Sequence, residues 1–144
     1  MNRRNFIQLG VSAGVAAIAL PKLSMAGSAG SAQHSMAGGV FYTKAYPGRW
    51  SKKAAPHLPV IEQQKNGQQL QIQVITPHEM KKHIHYITKH TLLDQDYHFL
   101  AEFLFDPIKH ASAVSNFTLD NYQGKLYALS HCNKHDTWLS AITV

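Results

Sequence analysis

Cysteine is nearly absent from this chain of 144 residues, which contains only Cys132. A single cysteine cannot form a disulfide within its own chain, so the disulfide framework that stabilises many small exported proteins is excluded. The thiol must therefore serve in packing, in reactivity or in metal binding. His135 follows three residues later, and a thiolate and an imidazole at that spacing can reach one metal ion.

Long apolar runs and patterns typical of nucleic-acid binding are also scarce. The apolar run over residues 9–20 is short and rich in Ala and Gly, which argues against a membrane span. Arg3 and Arg4 precede this run and a small-residue site ends at Ala26, which together resemble a twin-arginine export signal over residues 1–26. Basic residues do not alternate with aromatic residues, so no nucleic-acid partner is expected despite the formal net charge of +6. We expect a periplasmic or otherwise exported protein without membrane attachment after signal cleavage.

The remaining sequence divides into a leader and one domain. Residues 27–39 are rich in Gly, Ser and Ala and predict a flexible leader. Residues 40–144 alternate short β-prone runs with turn signals, for example the apolar-glutamine alternation from Leu70 to Val74 after the turn Asn66-Gly67. No long segment of this domain shows helical spacing. The predicted fold is all-β, an immunoglobulin-like antiparallel β-sandwich of about seven strands.

Local patterns also assign the shorter segments of the domain. Residues 40–42 predict a strand, residues 46–50 a turn, and residues 52–56 an irregular segment. Residues 107–116 predict a loop.

Histidine is in clear excess, with ten in the chain. Several histidines stand where predicted strands begin or end, which predicts a site at one end of the sandwich. Imidazoles together with one thiolate suit iron, copper or zinc, whereas calcium and magnesium prefer oxygen ligands. A blue-copper site is disfavoured because no methionine follows the last histidine. The histidines at predicted strand ends are His57, His78, His83, His85 and His135.

The other histidines of the domain fit no such pattern. His90, His98 and His110 are expected to be solvated or on polar faces. His131 precedes the cysteine, so its side chain should point to the opposite side of the strand.

Three segments carry a family resemblance. They are His57-Leu58-Pro59-Val60-Ile61-Glu62, then Pro77-His78 with His85-Tyr86-Ile87, then Leu126-Tyr127-Ala128-Leu129-Ser130-His131-Cys132-Asn133-Lys134-His135 with Trp138. In this order, over residues 57–138, they resemble the desulfoferrodoxin and neelaredoxin superoxide reductases.

The resemblance implies one iron per chain, held by four histidines and one axial cysteine thiolate. The implied ligands are His57, His78, His85, Cys132 and His135. The family's usual spacing between its two middle histidines falls between the His78–His83 and His78–His85 spacings found here. His83 is therefore the alternative to His85. We favour His85 because His85-Tyr86-Ile87 matches the sequence that follows the family's ligand.

The implied activity is reduction of superoxide to hydrogen peroxide at the open iron position opposite the sulfur. An external electron-donor protein is the implied partner, and a homo-oligomer is a further candidate assembly. The family commonly has Glu-Lys before the first ligand, whereas this chain has Ala55 and Pro56 there. Nearby cations could replace the missing lysine and steer superoxide electrostatically. The candidates for this role are Lys52, Lys53 and Lys134.

A second departure and a second function class follow from the same comparison. The residue after the last ligand is usually Gly in the family and is Asp136 here, which adds a negative charge beside the site. Because of both departures, a non-enzymatic electron carrier or metal-binding or sensing module on the same fold is the alternative function.

Overall fold

The computed structural model describes residues 36–144 and contains two antiparallel sheets. The predicted signal, residues 1–26, and the predicted leader up to residue 35 lie outside the described residues, so both stay predictions. The seven strands are β1 (Val60–Asn66), β2 (Gln69–Thr76), β3 (Ile87–Leu93), β4 (Phe99–Leu104), β5 (Ala113–Asp120), β6 (Lys125–Cys132) and β7 (Thr137–Thr143).

One sheet has the order β1-β2-β5 and the other has the order β4-β3-β6-β7. Every pairing within the two sheets is antiparallel. The prediction of an all-β antiparallel sandwich of about seven strands is confirmed, while its immunoglobulin-like character stays a prediction. Among residues 36–144, no helix is long and apolar enough to cross a membrane.

The main core lies between the two sheets, where the apolar faces of their strands meet. In β2 the side chains of Leu70, Ile72 and Val74 are buried, and the glutamines between them lie on the outer face. They pack in one cluster with apolar residues of β3 and β6, including Leu92 and Leu126. This packing removes apolar surface from water, which stabilises the fold by about 25 cal/mol for each Å² buried.

A smaller cluster lies at one end of the sandwich. Ile87, Phe105 and Ala113 pack there around Cys132, the last residue of β6. The inward-facing row of β6 runs through Ser130 to Cys132, so the strand's period of two directs the thiol into the sandwich. The sulfur consequently has apolar neighbours beneath it.

The shorter segments differ from their predictions in three places. Residues 40–42 form no strand and pair only through isolated bridges, Phe41 with Ala37 and Tyr42 with Trp138. Gly48–Lys53 form a 3₁₀ helix with a kink at Trp50, followed by helix α1 (Ala54–His57), where a turn and an irregular segment were expected. The predicted loop 107–116 ends earlier, since β5 begins at Ala113 and pairs with β2.

His90 is the clearest correction among the histidines, because its side chain is fully buried rather than solvated. Its Nε2 lies 2.8 Å from Thr76 Oγ1 and its Nδ1 lies 2.7 Å from Ser115 Oγ. Thr76 also donates to Ser130 Oγ at 2.8 Å. These contacts join both sheets through a buried polar network, which satisfies an imidazole that would otherwise be costly to bury. Burial lowers the pKa of His90 to about 3.

Candidate metal centre

Five potential ligands lie at the same end of the sandwich, each at or near the end of a regular element. His57 ends α1, just before β1, and His78 follows β2. His85 precedes β3, Cys132 ends β6, and His135 lies in the loop that leads to β7. Neighbouring antiparallel strands run in opposite directions, so the end of one strand lies beside the start of the next. These chain positions therefore meet at one end of the sandwich.

The ligand atoms of these five residues all lie within 4.8 Å of one another. Nε2 of His85 lies 3.0 Å from Nε2 of His78 and 3.0 Å from Nδ1 of His135. The same Nδ1 of His135 lies 3.0 Å from Nε2 of His57. Nitrogens bound about 2.1 Å from one metal at right angles to each other are about 3.0 Å apart. The three contacts therefore match successive positions around one ion.

The sulfur occupies a distinct position relative to these nitrogens. Sγ of Cys132 lies 3.9 Å from Nε2 of His78 and 3.7 Å from Nδ1 of His135. These two nitrogens are the ones that flank Nε2 of His85, so the sulfur lies at nearly equal distance from opposite corners of the nitrogen group. The sulfur is therefore a fifth donor set apart from the four nitrogens.

The chemistry of the donor set also fits a cation. A neutral imidazole has one N–H donor and one acceptor nitrogen. The converging nitrogens cannot all be satisfied by hydrogen bonds to one another, whereas one transition-metal ion can accept a lone pair from each. Imidazole nitrogens with a thiolate are ligands that iron, copper and zinc accept.

Contacts behind the ligands fix their orientation. Nδ1 of His57 lies 2.8 Å from the carbonyl oxygen of Lys53, which holds the ring with Nε2 towards the cluster. Nε1 of Trp138 donates to the carbonyl oxygen of His135 at 2.9 Å. The Trp138 ring is fully buried and lies 5.7 Å from that of His57, as expected for core packing near the site.

Burial keeps the histidines in the form that binds metal. It lowers the pKa of His57 and of His78 to about 4, with the neighbouring imidazoles as lesser causes. The pKa values of His85 and His135 are also lowered, mainly by burial; the His135 imidazole adds to this effect at His85, and nearby lysines add to it at both histidines. Burial raises the pKa of the Cys132 thiol. At neutral pH the imidazoles are therefore ready to ligate, while the thiol must lose a proton when a metal binds.

The structure brings His85 into the cluster and leaves His83 outside it. His83 is exposed; its carbonyl oxygen lies 3.4 Å from Nδ2 of Asn133, and its ring meets the Tyr86 ring edge-on with centroids 6.4 Å apart. His131 lies on the other side of β6, where its ring contacts Thr91 and Thr137 at 3.3 and 3.0 Å.

The candidate steering lysines are exposed around this end of the molecule. Lys53 and Lys134 both lower the pKa values of His85 and His135 through their charges. Lys52 lies on the 3₁₀ helix beside Lys53. Ala55 and Pro56, which stand where the family has Glu-Lys, form part of α1.

Asp136, Arg49 and Trp50 form a contact that the sequence did not reveal, and we call these three residues the clasp. Oδ2 of Asp136 accepts from Nη2 of Arg49 at 2.5 Å and from Nε1 of Trp50 at 2.8 Å. The Trp50 ring in turn meets the His135 ring edge-on, with centroids 4.7 Å apart. Hydrogen bonds from Trp50 and Arg49 lower the pKa of Asp136. The clasp joins the 3₁₀ helix before His57 to the loop that carries His135.

The fold and cluster together define a β-sandwich protein with a candidate site for a transition metal, built from one cysteine and four histidines. A family model described as desulfoferrodoxin matches residues 49–141. The chain belongs to the desulfoferrodoxin family.

Solved structures agree with this assignment. A variant of superoxide reductase (neelaredoxin) from Ignicoccus hospitalis is 31% identical, with 73% of this chain and 93% of that chain covered and a TM-score of 0.62. A superoxide reductase in the oxidised state is 26% identical, with 64% and 90% covered and a TM-score of 0.52. The superoxide reductase from Nanoarchaeum equitans, at 20% identity, covers 62% of this chain and 94% of its own, with a TM-score of 0.54, and supports the fold alone. No curated protein sequence matches.

Proposed function

We propose that this protein is an exported, single-iron superoxide reductase. The observation that carries the proposal is the convergence of four imidazole nitrogens and one thiol sulfur within 4.8 Å. The proposed iron ligands are His57, His78, His85, Cys132 and His135, with one iron per chain. Membership of a family that includes superoxide reductases supports the same activity.

Ferrous iron held by these five residues would supply one electron to superoxide, which with two protons would give hydrogen peroxide. The chain's own residues prepare for this in two ways. Burial lowers the pKa of His57 and of His78 to about 4, so both imidazoles are neutral at physiological pH. Protons would therefore not compete with a metal for their ring nitrogens. A Cys132 thiolate bound to the iron would donate electron density to it, which would favour release of the product.

Positive charge around the centre attracts the superoxide anion. Lys53 and Lys134 act on His85 and His135, the two less buried histidines of the cluster. A positive potential at this edge raises the rate at which a small anion meets the site. We propose that these lysines, with Lys52 beside them, take the steering role of the absent Glu-Lys pair.

Two further elements of the proposal rest on sequence and on relatives. The pattern of residues 1–26 supports export, by the twin-arginine route, to the periplasm. An external protein is proposed to return one electron to the centre after each turnover, since the reaction consumes one.

Pulse radiolysis of the reduced, iron-loaded protein is the experiment that tests the activity. We expect superoxide to oxidise the centre at about 10⁸ M⁻¹ s⁻¹, near the limit for diffusion, with one hydrogen peroxide formed per iron oxidised. Replacement of the family's Glu-Lys by Ala55 and Pro56 favours the second candidate, a non-enzymatic electron carrier. A centre that cycles with small redox reagents but is not oxidised by superoxide would establish that alternative.

A further inference from the structure

An exposed isoleucine projects beside the cluster on an ordered loop. Ile84 is 70% exposed although it directly precedes the cluster residue His85. The backbone N–H of Lys81 donates to the carbonyl of His85 at 2.8 Å, and that of Ile84 donates to the carbonyl of Lys81 at 3.1 Å. Nδ2 of Asn133 lies 3.4 Å from the carbonyl oxygen of Ile84 and braces the loop from the other side. The apolar side chain is thus held outward by the backbone.

The segments around the cluster, including the loop of Ile84, are rich in positive charge. The segments that carry the cluster, residues 48–57, 77–86 and 132–136, contain six of the eleven Lys and Arg residues found after residue 35 and two of the eight acidic residues. Both of these acids are already in ion pairs, Glu79 with Lys81 at 2.9 Å and Asp136 with Arg49 at 2.5 Å. The remaining cations of the three segments are Lys52, Lys53, Lys82 and Lys134.

We propose that Ile84 and the lysines around it form the docking surface for an acidic one-electron carrier protein that reduces the centre. We call this surface the His85 edge, and define it as Lys53, Lys82, Ile84 and Lys134. This inference rests on the proposed function and names the kind of electron donor that it requires. In the step, one electron passes from the reduced carrier to the ferric centre; the carrier is oxidised, the centre is reduced, and no bond forms or breaks.

The composition of the His85 edge fits a protein partner better than it fits superoxide alone. A small anion gains nothing from an exposed isoleucine, whereas a protein interface has a dry apolar centre and a charged rim. Charges at the rim mainly raise the association rate and select partners of opposite sign. A small, weak interface of this kind is typical of electron-transfer encounters.

Two variants test the surface without changing a cluster residue. Lys82→Asp reverses one charge, and Asp tolerates the positive φ of 47° at this position. Ile84→Ser removes the apolar contact. The matched controls are Lys65→Asp and Phe99→Ser, because Lys65 lies near the end of β1 and Phe99 begins β4, both at the other end of the sandwich. Circular dichroism checks that all four variants fold.

The probe is a reduced, acidic plant-type [2Fe–2S] ferredoxin, mixed with the ferric protein in a stopped-flow instrument. At low ionic strength we expect Lys82→Asp and Ile84→Ser to lower the second-order rate about fivefold or more. The Lys82→Asp difference should shrink at 0.5 M salt, where charges are screened within a few ångströms. Both control variants should react as the wild type does. Equal rates for all five proteins would overturn the docking surface.

A second readout does not depend on iron. In NMR titrations of the apoprotein with the oxidised ferredoxin, shifts should concentrate at residues 81–85 and 134, and Lys82→Asp should abolish them. Shifts elsewhere, or binding through Lys82 to anionic phosphatidylserine vesicles and not to ferredoxin, would refute the inference. Superoxide oxidation is measured separately. If the wild type fails to react with superoxide, the proposed function fails, whereas normal superoxide kinetics with unaltered ferredoxin rates contradict the docking surface alone.

Discussion

Asp136 has a backbone conformation that usually favours glycine, with φ of 59°. Asp and Asn are the side-chain-bearing residues that best tolerate this region. The residue therefore fits where the family resemblance leads one to expect Gly, and its carboxylate gains two partners, Arg49 and Trp50. The extra negative charge beside the cluster is thus neutralised locally.

The clasp should affect metal retention through the Trp50–His135 contact. Asp136→Asn keeps the backbone conformation and removes the charge that holds Arg49. We expect iron release to a chelator to become about tenfold faster, the lower range for loss of contacts that support a metal ligand. Lys44→Gln, an exposed lysine outside the clasp, is the control. Unchanged release from Asp136→Asn would show that the clasp does not support the site.

The choice between His83 and His85 can be tested by single replacements. His85→Ala removes a nitrogen that lies 3.0 Å from two others, so iron content should fall well below one per chain. His83→Ala removes an exposed ring and should leave iron content unchanged. Elemental analysis after identical loading compares them. Greater loss from His83→Ala would reverse the assignment.

At the scale of elements, β2, β3, β5 and β6 are joined by the His90 network. Burial keeps His90 neutral in the folded protein and lowers its pKa to about 3, from an ordinary value of 6.5. Below pH 6.5 the unfolded chain therefore binds a proton that the folded chain does not. Stability should fall as pH decreases from 6.5 towards 3.

Replacement of His90 should make stability less sensitive to acid. Between pH 4 and 6, His90→Gln should reduce the slope of the unfolding free energy against pH by about 1 kcal/mol per unit. Urea unfolding of the apoprotein at several pH values measures this slope. His98→Gln is the control, because the His98 side chain is 77% exposed. Parallel slopes for wild type and His90→Gln would contradict the buried neutral state.

Strands with a clear alternation were predictable from sequence, and those defined by distant partners were not. Leu70 to Val74 shows its period directly, and the structure places it in β2. The start of β5 at Ala113 depends on pairing with Thr76, more than thirty residues away, which no local pattern records. Helix α1 has four residues, too few to show a helical period.

The cluster was predictable because family resemblance supplied the ligand order that the spacing alone left open. The clasp was not, since Arg49 and Asp136 are 87 residues apart in sequence. His90 was misassigned because its burial depends on hydroxyls contributed by other strands. The contacts of these side chains depend on residues brought close only by the tertiary fold.

At the scale of the whole molecule, metal binding and folding should be coupled. The five candidate ligands come from α1, from the end of β6 and from the loops beside β2, β3 and β7, so they converge only when both sheets are assembled. A ligand that binds only the folded state stabilises it by about 4 kcal/mol at a thousand times its dissociation constant.

Chelation should therefore lower the melting temperature of the whole domain. We expect calorimetry to show a decrease of several degrees or more when iron is removed. Readdition of ferrous iron should restore the original value. Cys132→Ser should show a smaller iron-dependent change, and a wild-type melting temperature indifferent to iron would contradict coupling between the site and the fold.

The absorption spectrum of the oxidised, iron-loaded protein, measured beside that of Cys132→Ser, most directly tests the claim that these five side chains hold one iron. Sγ of Cys132 lies under 4 Å from nitrogens of His78 and His135, so a ferric ion held by them would also be bound by sulfur. We predict one iron per chain and a visible sulfur-to-iron charge-transfer band that disappears in Cys132→Ser. A colourless ferric protein, or a band that survives this replacement, would contradict the account.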